Sequence, residues 1–181
     1  MARNIEIKAR ISDEADFEER LKLLIAESRE EMRQVDTFFA ARFGRLKLRD
    51  CDDGTAELIH YFRSDQSDPK LSDYERVTVT DPVGLRALLA RALGIRGVVT
   101  KQRLALILGR TRIHIDRVEG LGRFLEIEVV LDVNDRLEDG ERTAAELLKL
   151  LRVPPSDLIS SAYIDMLEAK TRAASDSNQP L

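Results

Sequence analysis

A chain of 181 residues makes one large domain or two small ones, and with 43% hydrophobic and 34% charged residues it buries a core, which excludes wholesale disorder. A net charge of −4 gives no footing for general nucleic-acid binding, no apolar run is long enough to span a membrane, and no secretory signal opens the chain. The single cysteine, Cys51, has no internal disulfide partner, which fits a reducing cytoplasm.

The first strand is predicted over residues 2–11, where Asn4-Ile5-Glu6-Ile7-Lys8-Ala9-Arg10 alternates polar with apolar. Asp13 is placed to cap a helix over 14–29. Strands follow over 33–40, 44–50 and 55–63, the last two joined by a turn at Asp53-Gly54. Ser64–Asp73, with Pro69 and many polar residues, reads as a mobile loop before a strand over 73–80. Asp81 followed by Pro82 starts a helix that stops near Gly94. Strands are predicted over 97–108, 111–117 and 123–132, with a turn at Gly109-Arg110. A third helix over 141–151 ends before Pro154-Pro155, and Ser156 is placed to cap a last one over 157–170. The organisation expected is a single domain over 1–170 and a flexible tail over 171–181, without repeat or linker.

Alternate side chains of a strand point to opposite faces. Glu6, Lys8 and Arg10 therefore share one face, as do Arg45, Lys47 and Arg49, and as do Lys101 and Arg103. Arg63 shares a face with Glu57 and Tyr61; Arg110, Arg112, His114 and Asp116 line up together, and so do Glu126 and Glu128. The opposite faces are apolar: Ile5, Ile7 and Ile11; Leu46 and Leu48; Leu104, Leu106 and Leu108; Leu125, Ile127 and Val129. One alternating strand is usually a solvated sheet face. Here the charges are also sorted by sign from strand to strand, and like charges two residues apart repel. An open sheet with helices on its apolar face satisfies the alternation. The sorting favours an α+β fold in which a closed or nearly closed eight-stranded antiparallel barrel, with helices packed outside, holds a charged interior wide enough for one small ligand. Asp36 either reaches that interior or caps a turn, Arg10, Arg45, Arg110 and Arg112 belong to the mouths or the outside, and His60 belongs to the outer face.

These segments resemble the CYTH family, the triphosphate tunnel metalloenzymes, which include class IV adenylate cyclases, thiamine triphosphatases and inorganic triphosphatases. The family's first strand reads Glu-x-Glu-x-Lys; here it is Asn4-Ile5-Glu6-Ile7-Lys8, with Asn4 in place of the first glutamate. The other signals are Arg45-x-Lys47-x-Arg49, Arg63, Lys101-x-Arg103, Asp116 and Glu126-x-Glu128. Arg3-Asn4-Ile5-Glu6, Asp36-Thr37-Phe38-Phe39, Ile113-His114-Ile115-Asp116 before Val118-Glu119-Gly120-Leu121-Gly122, and Ser161-Ala162-Tyr163 are most similar to proteins called class IV adenylate cyclases.

The resemblance implies a divalent-metal-dependent enzyme acting on a small-molecule triphosphate: ATP, thiamine triphosphate or inorganic triphosphate. Lys8, Lys47, Arg49, Arg63, Lys101 and Arg103 are the implied phosphate ligands, since a triphosphate carries about four negative charges that lysines and arginines match. Glu6, Asp116, Glu126 and Glu128, together with Asn4, are the implied ligands of Mg²⁺ or Mn²⁺, hard ions that seek oxygen. Glu6, Lys8, Glu126 and Glu128 form the implied catalytic set, with Arg112, His114 and Tyr163 as further candidate substrate contacts. In a cyclase the ribose 3′-hydroxyl attacks the α-phosphorus and pyrophosphate leaves; in a hydrolase water attacks the terminal phosphorus. Cyclase, hydrolase and non-catalytic triphosphate or polyphosphate binder are the three functional expectations, in that order, and a homodimer is compatible with all of them.

Overall fold

The computed structural model describes residues 2–63 and 70–176. Its elements are β1 (Ala2–Arg10), α1 (Glu14–Leu21), β2 (Ser28–Phe39), β3 (Arg45–Cys51), β4 (Ala56–Arg63), β5 (Lys70–Thr78), α2 (Pro82–Leu93), β6 (Ile95–Leu108), β7 (Thr111–Val118), β8 (Gly122–Leu131), α3 (Leu137–Leu150) and α4 (Tyr163–Asp176). The strands hydrogen-bond around a barrel in the order β1-β5-β4-β3-β2-β6-β7-β8, with every neighbouring pair antiparallel. Closure is tight except at one seam. β1 pairs with β8 from Arg3 to Arg10, but with β5 only from Ala2 to Glu6. Past Glu6 that edge of β1 is taken by the stretch before α4: Leu158 bridges Ala9, and the Ile159 N–H donates to Lys8 O at 2.8 Å.

The main apolar core lies outside the barrel wall. Ile5, Ile7, Ile113, Leu125 and Ile127 are buried there against α1 and α3, through Phe17, Leu21, Ala144 and Leu151. A second cluster stoppers one end of the barrel, where Phe38, Val99 and Phe124 meet Ala162, Tyr163 and Ile164 at the start of α4. The outer face of β4 and β5 stays more open, leaving Phe62 and Val77 exposed. Among the described residues, no helix is long and apolar enough to cross a membrane.

Several predicted boundaries move. The helix from Asp13 stops at Leu21, and residues from Ser28 onward are strand, because β6 is long and supplies Leu104 to Ile107 as partners for Ser28 to Glu31. The predicted loop Ser64–Asp73 falls outside the described residues over 64–69, while Lys70 to Asp73 pair in β5. α3 begins at Leu137 and runs through Gly140, a residue that weakens a helix by composition alone. Its missing side chain is what lets the helix sit on the barrel, since a Cβ there would fall 2.8 Å from Ile5 Cγ1 and 3.0 Å from Leu131 Cδ2. The last helix starts at Tyr163, not after Ser156. Pro155–Asp157 forms a single 3-10 turn, the chain then follows the open edge of β1, and Asp165 accepts from the Ala162 N–H at 3.0 Å to begin α4. That helix runs on to Asp176, past the predicted start of the tail; residues 177–181 lie outside the described residues. The turns at Asp53-Gly54 and Gly109-Arg110 occur as predicted, each with glycine in the left-handed region, at φ +84° and +57°.

Candidate functional site

The barrel encloses a cavity of about 870 Å³, mouth included, into which Asn4, Glu6 and Lys8 of β1, Lys47 and Arg49 of β3, Lys101 and Arg103 of β6, and Glu126 and Glu128 of β8 all project. Strand alternation put them on one face of each strand, and barrel closure turned those faces toward one another.

Two buried aspartates organise the cations. Asp36 of β2 stands directly across from Arg49 of β3. It accepts from Arg49 Nε at 2.7 Å, Arg49 Nη2 at 2.8 Å and Lys47 Nζ at 2.9 Å. Asp116 of β7 stands across from Arg103 of β6 and accepts from Nε at 2.7 Å and Nη2 at 2.6 Å. Lys101 Nζ is 3.5 Å from the same carboxylate, and the Tyr163 hydroxyl donates to it at 3.0 Å. Burial alone would raise both aspartate pKa values, but Arg49 and Lys47 around Asp36, and Arg103 and Lys101 around Asp116, outweigh it and hold both below the usual carboxylate range. The lysines pay in the other direction. Burial and the neighbouring Arg49 push Lys47 down, and burial with Arg103 pushes Lys101 down to about 7.

The carboxylate wall is built on the pairing of the first and last strands. Lys8 faces Glu126 in the register, at 3.1 Å between Nζ and Oε1, while Glu126 Oε2 accepts from Arg103 Nη2 at 2.7 Å. Burial would raise the Glu126 pKa, yet Lys8, the neighbouring His114 ring and Arg103 hold it well below the usual range. One step along, Glu6 faces Glu128. Like charges directly opposed in a sheet destabilise it, so a cation between them would relieve the pair. Arg112 Nη1 lies 3.4 Å from Glu128 Oε2, toward the mouth. His114 is buried, and its Nδ1 stands 3.6 Å from Glu126 Oε2 and 3.5 Å from Glu128 Oε1 without a hydrogen bond to either. Asn4 is buried beside Glu6 with its Oδ1 also lacking a hydrogen-bond partner. Asn4 and Glu6 of β1 line the same cavity as Glu126 and Glu128 of β8, and an amide oxygen with carboxylates is a donor set of the kind Mg²⁺ or Mn²⁺ takes.

Most residues singled out from the sequence therefore meet in one place. Lys8, Lys47, Arg49, Lys101, Arg103, Glu6, Glu126 and Glu128 line the cavity, and Tyr163 closes its end, its ring 4.2 Å below Lys8 Nζ. Arg63 ends β4, but its side chain lies outside the described residues. Both Asp116 oxygens are engaged by Arg103, Lys101 and Tyr163. Arg45 bonds Asp165 of α4 at 2.9 Å, Arg10 bonds Leu121 O, and Arg110 bonds Asp132 and Asp135 on the outside. The organising role of Asp36 escapes a sequence reading. Its signal is the alternation of Asp36 with Phe38, both in the lining.

Most of the chain has counterparts among known proteins. A protein of Methanocaldococcus jannaschii, provisionally named an adenylate cyclase, is 27% identical over 172 residues, covering 90% of this chain and 97% of its own. A solved protein of Pyrococcus horikoshii superposes with a TM-score of 0.79 at 25% identity, over 90% of this chain and 98% of its own. A Hippeastrum protein, provisionally named an adenylyl cyclase and described as having a dominant triphosphatase activity, superposes with a TM-score of 0.66 at 13% identity, over 94% of this chain and 96% of its own. The CYTH domain profile matches residues 2–163, and with the barrel and its charged lining in place, this chain belongs to the CYTH family.

Proposed function

We propose that this chain is a divalent-metal-dependent enzyme that takes the triphosphate of ATP into the barrel and converts ATP to cyclic AMP and pyrophosphate. The observation that carries the reading is the convergence of Lys8, Lys47, Arg49, Lys101 and Arg103 with Glu6, Glu126 and Glu128 in one cavity that is stoppered at one end. The five cations neutralise phosphate oxygens and orient the chain of phosphates along the barrel. Asp36 and Asp116 act through them, fixing each arginine fork before substrate arrives. Glu6, Glu126 and Glu128, with Asn4, would hold Mg²⁺ or Mn²⁺, which would supply Lewis-acid polarisation of a phosphoryl oxygen. Arg112 lines the cavity beside Glu128, His114 is buried behind Glu126 and Glu128, and Tyr163 excludes water from the closed end. The ribose 3′-hydroxyl loses its proton to water as its oxygen attacks the α-phosphorus, the bond from that phosphorus to the bridging oxygen breaks, and the cations stabilise the charge that gathers on the departing pyrophosphate.

Triphosphate hydrolysis is the second reading. It is supported by the Hippeastrum protein, in which a barrel of this fold is described with a dominant triphosphatase activity. Incubation with ATP, and separately with inorganic triphosphate, in Mg²⁺ or Mn²⁺, followed by phosphorus NMR, separates the two. Cyclic AMP with pyrophosphate supports the first; ADP or pyrophosphate with orthophosphate supports the second. Intact substrates in both metals defeat both and leave a binder. Glu128→Gln lowers metal-dependent turnover by orders of magnitude in either reading, and wild-type turnover in that variant would remove Glu128 from the site.

A further inference from the structure

His114 is 7% exposed, yet its Nδ1 is buried without a hydrogen-bond partner. Two carboxylate oxygens face that nitrogen at ion-pair distance, and neither closes a hydrogen bond of good geometry to it. The register explains its aim. His114 on β7 sits directly opposite Glu126 on β8, and Glu128 lies two residues further along the same face. Nδ1 stands 3.6 Å from Glu126 Oε2 and 3.5 Å from Glu128 Oε1, and the three donor atoms fall within 4.8 Å of one another. Those separations are long for hydrogen bonds and suit something else. Two donors bound at about 2.1 Å to one octahedral ion lie about 3.0 Å apart at a right angle, so a shift of about half an ångström brings these atoms onto one ion.

We infer that His114 is a nitrogen ligand of the divalent ion held by Glu126 and Glu128, so that this centre is mixed nitrogen and oxygen and prefers Mn²⁺ over Mg²⁺. The inference rests on the metal-dependent reading above and adds a ligand and a selectivity to it. Imidazole suits borderline transition ions, whereas Mg²⁺ seeks oxygen and dehydrates reluctantly. The strand opposite Glu128 supports the same shift. Position 4 carries a neutral amide beside Glu6, so this wall offers one anionic oxygen fewer than a Glu-x-Glu strand would. Glu126 Oε2 also accepts from Arg103 Nη2 at 2.7 Å, and a carboxylate oxygen with two lone pairs accommodates that bond and an ion together.

The test is pulsed EPR of the full chain loaded with Mn²⁺. Nitrogen-14 modulation from a coordinated imidazole is expected, changing to the nitrogen-15 pattern when the histidines are isotopically labelled. Labelling needs no variant, and the second histidine, His60, bonds Phe43 O on the outer face. In His114→Gln, Mn²⁺ binding should weaken by about tenfold or more while Mg²⁺ binding changes far less, so the Mn²⁺ preference falls. Bound Mn²⁺ without nitrogen modulation, or equal losses for Mn²⁺ and Mg²⁺, overturns the ligand role and leaves the metal-dependent reading standing. An unchanged signal of aqueous Mn²⁺ in the presence of protein overturns both.

Discussion

The barrel contains the same device twice. On β2 and β3, Asp36 grips Arg49 with both oxygens and takes Lys47; on β7 and β6, Asp116 grips Arg103 with both oxygens and attracts Lys101. In each, a Lys-x-Arg pair on one strand faces an aspartate directly across from the arginine. The fork distances agree within a tenth or two of an ångström; the surroundings do not. Lys47 sits 2.9 Å from its aspartate and Lys101 3.5 Å from its own. Lys47 and Arg49 keep 13% and 14% of their side-chain surface, while Lys101 and Arg103 keep 3% and 6%. Asp116 also takes the Tyr163 hydroxyl, and Arg103 reaches on to Glu126. One sequence pattern thus yields a well-compensated, half-wet clasp and a dry one whose lysine is short of counter-charge. Local sequence sets the partners, and depth in the barrel sets what their charges cost.

The largest difference between the clasps should appear when the aspartates go. Asp116→Asn strands two buried cations and should cost about 3–5 kcal/mol in urea unfolding. Asp36→Asn should cost about 1–3 kcal/mol, because Lys47 and Arg49 reach some water. Equal losses would break the comparison.

Next comes pH. The Lys101 pKa is lowered in the fold to about 7 from its usual 10.5, so between those values the unfolded chain binds the extra proton. Stability therefore rises with pH across that window, and below pH 7 the lysine is charged in both states with its full penalty present. Unfolding midpoints at pH 6.5, 8 and 9.5 should rise in wild type relative to Lys101→Met. Lys47→Met should leave most of that rise in place; if it removes it, the two lysines are equivalent.

Tyr163→Phe should cost about 1–2 kcal/mol by removing a hydroxyl donated to a carboxylate. Its loss should persist in an Asp36→Asn background and shrink in Asp116→Asn, since only one clasp is tied to α4. Identical coupling to both aspartates would sever that tie. The smallest effect is at Gly97, beside α4. A Cβ there falls 2.6 Å from Ile164 Cδ1, and Ile164 is buried, so Gly97→Ala should cost about 1 kcal/mol and lower Tm by a few degrees.

What could be read beforehand was whatever depends on period two. The charged faces of β1, β3, β6 and β8 followed from alternation, and closing the sheet brought Lys47, Lys101 and Glu126 together as expected. Register was not legible, because it depends on which strand lies alongside. Asp116 is among the metal ligands the family resemblance implies; its position across from Arg103 brings both its oxygens to cations and Tyr163. Helix ends failed where tertiary contacts outweigh local signals. The helix predicted from residue 141 starts earlier, at Leu137, with Gly140 as its point of close approach to Ile5, and Ser156 reads as a cap but precedes a stretch captured by the edge of β1. Asp36 was ambiguous because one carboxylate serves equally as a cap or as a counter-ion until its neighbours are known.

The pairing of β1 with β8 has a further consequence, for the order of assembly. Lys8 meets Glu126 and Glu6 meets Glu128 across about two-thirds of the sequence, so the carboxylate wall exists in no nascent chain that has not reached β8. Contacts of such long range form late, after loop-closure entropy has been met. The barrel then shuts on a row in which Lys8, Arg103 and Arg112 stand among Glu6, Glu126 and Glu128. A ligand or ion spanning that seam binds only the finished ring, and by mass action it holds shut the junction that was last to form.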